Sequence, residues 1–113
     1  MQTPIFIDEG NGDLELYPTV NAVEEDLEAI DVKAGIYDAF DSTGRVLKLT
    51  TYFDAEGCEL VQIQPTDEVA QDDLRSRLLR TLKAINRLDR DSDLSFDELR
   101  NICMTERLLH FFG

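Results

Sequence analysis

Apolar residues recur along this chain with two different periods, and the changes of period mark out the elements. Ile5-Phe6-Ile7 and Leu14-Glu15-Leu16-Tyr17 are short β-prone runs, and the Gly- and Asn-rich tract Asp8 to Asp13 between them reads as a turn. Val20, Val23, Leu27 and Ile30 follow at steps of three, four and three, the stripe of one amphipathic helix. Its start signal is either Asn21 with Glu24 or Thr19 alone. Glu24, Glu25, Glu28 and Asp31 occupy the other side.

The pattern then turns to strands. Phe40-Asp41-Ser42-Thr43-Gly44 and Phe53-Asp54-Ala55-Glu56-Gly57 repeat the motif Phe-Asp-x-x-Gly, with Asp opening a type I turn and Gly free to take a positive φ. Asp-x-x-Gly also occurs in nucleotide-binding switch regions, but two copies on hairpins without a phosphate loop read as turns. They join runs at 36–40, 46–53 and 59–64 into a three-stranded meander. Leu47, Leu49, Thr51 and Phe53 fall on one face, with Val46, Lys48, Thr50 and Tyr52 on the other.

Pro65-Thr66 is expected to end the last strand, and a helix is expected from about Asp67 to Leu88. Leu74, Leu78, Leu82 and Ile85 form its buried stripe. Asp67, Glu68, Asp72 and Asp73 lie early in it and basic residues late, matching the helix dipole. A short loop leads to a final helix opening at Ser95, which forms a capping box with Glu98. These elements predict one domain over 1–113 of α+β class. Its core is a mainly antiparallel sheet with a central β-meander, packed by one N-terminal and two C-terminal helices.

Charge sharpens the picture. The net charge of −13 lies wholly within residues 1–70, where 16 carboxylates face only Lys33, Arg45 and Lys48; residues 71–113 balance. Such a field repels nucleic acid and anionic membrane and speeds encounter with a basic protein. With 42% hydrophobic residues the chain has the composition of a folded domain rather than a disordered one. The N-terminus lacks the pattern of a signal peptide, no run approaches the roughly 20 apolar residues of a membrane span, and Cys58 and Cys103 fit no framework or metal spacing. Both are expected to be buried, reduced thiols in a cytoplasmic protein.

Candidate chemistry is sparse. Asp89, Asp91 and Asp93 open a stretch similar to a calcium-binding EF-hand loop, but the central Gly is missing and Glu98 comes two residues too early to be the bidentate ligand. An acidic helix–helix connection is the better reading, with a partial divalent-ion site as a remote alternative. His110, the single histidine, sits among Leu108, Leu109, Phe111 and Phe112, where packing is expected rather than acid–base work. No nucleophile elbow, phosphate loop or dinucleotide-binding glycine pattern occurs, so neither an enzyme nor a cofactor is expected. Arg75, Arg77, Arg80, Lys83 and Arg87 are expected to pair with carboxylates such as Asp73 or with the acidic lobe, not with phosphates.

The acidic surface itself is the candidate site. Glu24, Glu25, Glu28 and Asp31 with Asp8, Glu9, Asp13 and Glu15 make eight carboxylates with no basic residue before Lys33. Like charges at i, i+4 weaken a helix, so a surface of one sign points to a partner.

From Leu14 onward the chain resembles a loose group of small acidic bacterial proteins, some placed beside toxin genes as immunity proteins. The matching residues are Glu24-x-x-Leu27-Glu28-x-Ile30-Asp31-Val32, then Gly35-x-Tyr37-x-Ala39-Phe40-Asp41-x-x-Gly44-Arg45-x-Leu47, with the later Leu-rich helix. The resemblance implies an α+β protein that binds a cognate toxin tightly in the producing cell; a monomer or homodimer is expected. A general interaction or regulatory module, including a nucleic-acid mimic, is the alternative.

Overall fold

The computed structural model describes residues 1–10, 14–84 and 94–112, with side chains to 105 in the last segment. Five strands form one antiparallel sheet: β1 (Ile5–Asp8), β2 (Leu14–Tyr17), β3 (Asp38–Phe40), β4 (Arg45–Phe53) and β5 (Glu59–Val69), in the spatial order β2-β1-β3-β4-β5. The class is α+β, and β3, β4 and β5 are the meander that the two turns require. Asp41 closes the first turn, its Oδ1 accepting from the Thr43 N–H at 2.9 Å and the Arg45 N–H at 3.1 Å. Asp54 does the same with the Glu56 and Cys58 N–H groups, both at 2.9 Å. Gly44 and Gly57 take φ of 90° and 82°. At Gly44 a side chain would also strike Gln71, so glycine is required there twice over.

Strand alternation divides the core into two layers. Ile5, Ile7, Tyr17, Ala39, Leu47, Val61 and Ile63 face helices α1 (Val20–Asp26) and α2 (Ala29–Lys33), whose Val23 and Leu27 are buried among them. Phe6, Leu14, Leu16 and Phe40 face helices α3 (Gln71–Ala84) and α4 (Phe96–Phe112), which contribute Leu74, Leu78, Leu82, Leu99 and Cys103. Burying each such side chain contributes about 1.5–3 kcal/mol, so the two layers hold the sheet from both sides. The Ser95–Glu98 capping box forms at the start of α4, with reciprocal bonds of 3.3 and 3.2 Å.

The structure departs from the sequence expectation in two places. The first helix is two: Thr19 caps α1 by accepting from the Ala22 N–H at 3.1 Å, while Leu27 and Glu28 are extended, with ψ of 139° and 137°. A continuous helix would stack Glu24 on Glu28, which repel. The break separates them and keeps Leu27 buried, but it turns Ile30 out to 68% exposure, so Ile30 leaves the apolar stripe.

The second departure is at Pro65, which lies inside β5 opposite Leu47 instead of ending the strand. The reason is the parity of the ladder. The Asp54 N–H donates to the Cys58 carbonyl, and hydrogen-bonded pairs then recur at every second residue, at Tyr52–Leu60, Thr50–Gln62 and Lys48–Gln64. Glu59, Val61, Ile63 and Pro65 therefore direct their main-chain groups away from β4, and proline loses no ladder bond there. Beyond it a register shift between Arg45 and Leu47 is bridged by side chains. Thr66 Oγ1 donates to the Val46 carbonyl at 2.7 Å, and Arg45 Nη1 donates to the Thr66 carbonyl at 2.9 Å. The strand thus runs to Val69, and α3 begins only at Gln71.

Candidate functional site: an acidic surface around two tyrosines

The eight predicted carboxylates are divided by the sheet. Glu15 alternates with Leu14 and Leu16, so it shares a face with Tyr17, toward α1. The Tyr17 hydroxyl donates to Glu15 Oε2 at 3.0 Å and to Asp26 Oδ2 at the end of α1. From α2, Asp31 accepts from the Tyr37 hydroxyl at 3.4 Å. Glu9 lies close enough that its carboxyl is pushed above the ordinary range, by partial burial first and then by the charges of Glu15, Asp31 and Asp26. The same surroundings raise both tyrosines. Burial and the bonds to Asp26 and Glu15 push Tyr17 far up, while burial and the charge of Asp31 push Tyr37 up to about 12. Both hydroxyls therefore stay protonated donors at neutral pH. Glu9, Glu15, Asp26 and Asp31 make one negative surface, and Glu25 and Glu28 are exposed beside it. Among the described residues none of these six forms an ion pair.

Asp8 and Glu24 lie elsewhere. Asp8 follows Phe6 onto the opposite face of β1, beneath α3, and its carboxylate is 2% exposed. Arg77 Nη1 meets its Oδ2 at 2.9 Å and Arg80 Nη2 at 2.6 Å. Burial alone would raise its pKa, but the Gly10 N–H and the two guanidinium groups hold it below the ordinary value of 3.8. Arg77 also pairs with Asp38 and Asp73, each at 2.9 Å, so Arg77 and Arg80 meet carboxylates as expected, whereas Arg75 donates to the Leu94 carbonyl and Arg87 lies outside the described residues. Glu24 reaches the outer edge of β5, where its Oε2 accepts from the Ile63 N–H at 3.1 Å. Asp13 lies outside the described residues.

Asp26 is the member that sequence reasoning missed. It lies within the acidic run, and only the fold places it on Tyr17; an acidic residue at a helix C-terminus, against the dipole, is the signal that was available. Asp89, Asp91 and Asp93 also lie outside the described residues, as does the side chain of His110. Among the described residues no group of three or more His, Cys, Asp or Glu is placed to hold a metal, and no helix is long and apolar enough to cross a membrane. Cys103 is buried as expected, whereas Cys58 is exposed, at the hairpin turn where its carbonyl accepts from the Asp54 N–H.

Fold and surface together define an α+β protein with a cluster of carboxylates that no cation pairs among the described residues. No protein-family model matches the chain, and no curated protein or solved structure matches it.

Proposed function

We propose that this chain is a binding protein of the immunity type, a cytoplasmic bacterial inhibitor that occludes a basic cognate toxin through its acidic surface. One observation carries the reading: carboxylates from four parts of the fold (Glu9, Glu15, Asp26 and Asp31) converge around Tyr17 and Tyr37 without a pairing cation among the described residues. Gathering like charges costs folding free energy that a purely solubilising surface avoids by mixing signs. A cationic partner removes that cost, and the field accelerates its arrival. A nuclease toxin fits this chemistry, because a site built for phosphates accepts carboxylates in their place. The proposed action is steric and electrostatic.

The test is rescue. The product of the adjacent gene is expressed alone, with this chain, and with a variant carrying Lys at Glu9, Glu15, Asp26 and Asp31. Growth arrest by the product alone, relieved by the wild-type chain and not by a folded variant, supports the proposal. Equal rescue by the variant, or a neighbour that causes no arrest, rejects it. Salt gives a second readout: raising it slows association steeply if the surface steers the encounter.

A further inference from the structure

We infer that the binding surface is anchored by an apolar pair, Ile30 and Ile36, and that its partner is a basic protein carrying apolar side chains among its cations. This rests on the preceding reading for the sign of the partner's charge, and adds what holds the partner after it arrives. The end of α2 makes the pair. The Gly35 N–H donates to the Val32 carbonyl at 3.1 Å and the Ile36 N–H to the Asp31 carbonyl at 3.5 Å, with Gly35 at a φ of 73°. This is a Schellman cap, which folds the second residue beyond the helix back against the last turn and so brings Ile36 beside Ile30. Ala29 and Val32 of the same helix pack on the core, yet Ile30 stays 68% exposed and Ile36 44%. Phe53, also 68% exposed, extends the patch: it pairs across the ladder with Glu59, which holds Lys33 of α2 at 2.7 Å.

Single exposed apolar residues need no explanation, but neighbours bordered by charge have the anatomy of an interface, an apolar centre within a polar rim. The border here is the acidic surface. Asp31 supplies the carbonyl of the cap, and its carboxylate accepts from the Tyr37 hydroxyl at 3.4 Å, so the pair and the carboxylates are parts of one surface. Charge then selects the occupant. A second copy, or an anionic lipid surface, would press like charges together as it covered the pair, whereas a basic protein brings opposite ones. The two parts divide the work. The carboxylates speed the encounter, and burial of Ile30 and Ile36 slows the departure.

Two helical peptides of about 18 residues are the probes, one with leucine along one stripe and arginine along the other, the second with glutamine in place of each leucine. Each is titrated into the isotopically labelled full chain at low and high salt. The leucine peptide is expected to bind about tenfold or more tightly than its equally charged partner, with amide shifts at Ile30, Asp31 and Ile36. Replacing both exposed residues, Ile30→Ser with Ile36→Ser, should leave the spectrum unchanged away from α2 and abolish the preference for leucine. Equal binding of the two peptides by the wild-type chain, a preference that survives in the double variant, or shifts centred on Tyr52, Leu60 or Val69 would overturn the inference. So would self-association through Ile30 and Ile36 without peptide. The salt dependence common to both peptides reports the acidic surface instead. Its absence, or its survival when Glu9, Glu15, Asp26 and Asp31 are replaced by Lys, counts against the preceding reading, while the leucine preference is scored separately.

Discussion

β2 and β5 are the two outer strands of one sheet, and each offers an outward amide to a side chain where another strand would bond it. On β2 the Leu14 N–H donates to Thr81 Oγ1 at 3.0 Å, and both residues are fully buried beneath α3. On β5 the Ile63 N–H donates to Glu24, and the residues along that edge alternate between buried and exposed. The acceptors differ because the surroundings do. A neutral hydroxyl can be taken out of water once its bond is made, whereas a carboxylate needs either water or, as at Asp8, cations beside it. One edge is sealed, a piece of core. The other is covered by a half-buried charge from α1, with Val61 and Ile63 beneath it 4% exposed.

Substitutions can break this contrast, and the largest effect is expected at the sealed end. Asp8→Ala removes the buried carboxylate that accepts from Arg77, Arg80 and the Gly10 N–H, and should cost about 3 kcal/mol in denaturant unfolding. Acid reaches the same groups. The folded-state pKa values of Asp8 and Asp41 are lowered, so their contribution is present above about 3.8 and is lost as the pH falls through the depressed values. Glu9 runs the other way, because its raised pKa means that protonation relieves repulsion. A stability–pH curve is therefore expected to be flat or slightly rising on first acidification and then to fall below about pH 3.8.

Gln62→Pro tests the parity of β5. The Gln62 N–H faces β4, unlike that of the native Pro65, so the substitution should cost about 3 kcal/mol while Pro65 is tolerated three residues away. Thr81→Val keeps the shape but strands the buried Leu14 N–H, at about 1–3 kcal/mol, read by denaturation. Glu24→Ala should be the mildest, within about 0.5 kcal/mol, since water replaces the carboxylate. Its readout is faster hydrogen exchange at Ile63 with little change at Leu14. A loss at Glu24 as large as that at Thr81 would make the two edges equivalent and remove the contrast.

Much of this architecture was legible in the chain. Asp41 with Gly44 and Asp54 with Gly57 are local chemistry that sets two turns, and the runs between them had only one compact way to pair. Ser95 with Glu98 is similarly self-contained. What misled was context. Ile30 fits the spacing of a buried stripe, but periodicity does not register that Leu27 and Glu28 leave the helix before it. Pro65 reads as a terminator unless the direction of its missing N–H is known. Of the candidate carboxylates, Glu9, Glu15 and Asp31 are gathered on one surface, while Asp8 and Glu24 were drawn away by partners distant in sequence.

The sequence by itself determined the sign of the surface, the meander and the caps, because turns, caps and net charge depend on residues within a few positions of one another. Only the tertiary structure decided which carboxylates meet a cation among the described residues. A strand sends successive side chains to opposite faces, so Asp8 is neutralised by Arg77 and Arg80 under α3 while Glu9 and Glu15 stay with Asp26 and Asp31. It also decided which edge is closed, since Thr81 lies 67 residues from Leu14 and Glu24 lies 39 from Ile63. Pairings at that distance are fixed by the packing of the whole core, and no local pattern encodes them.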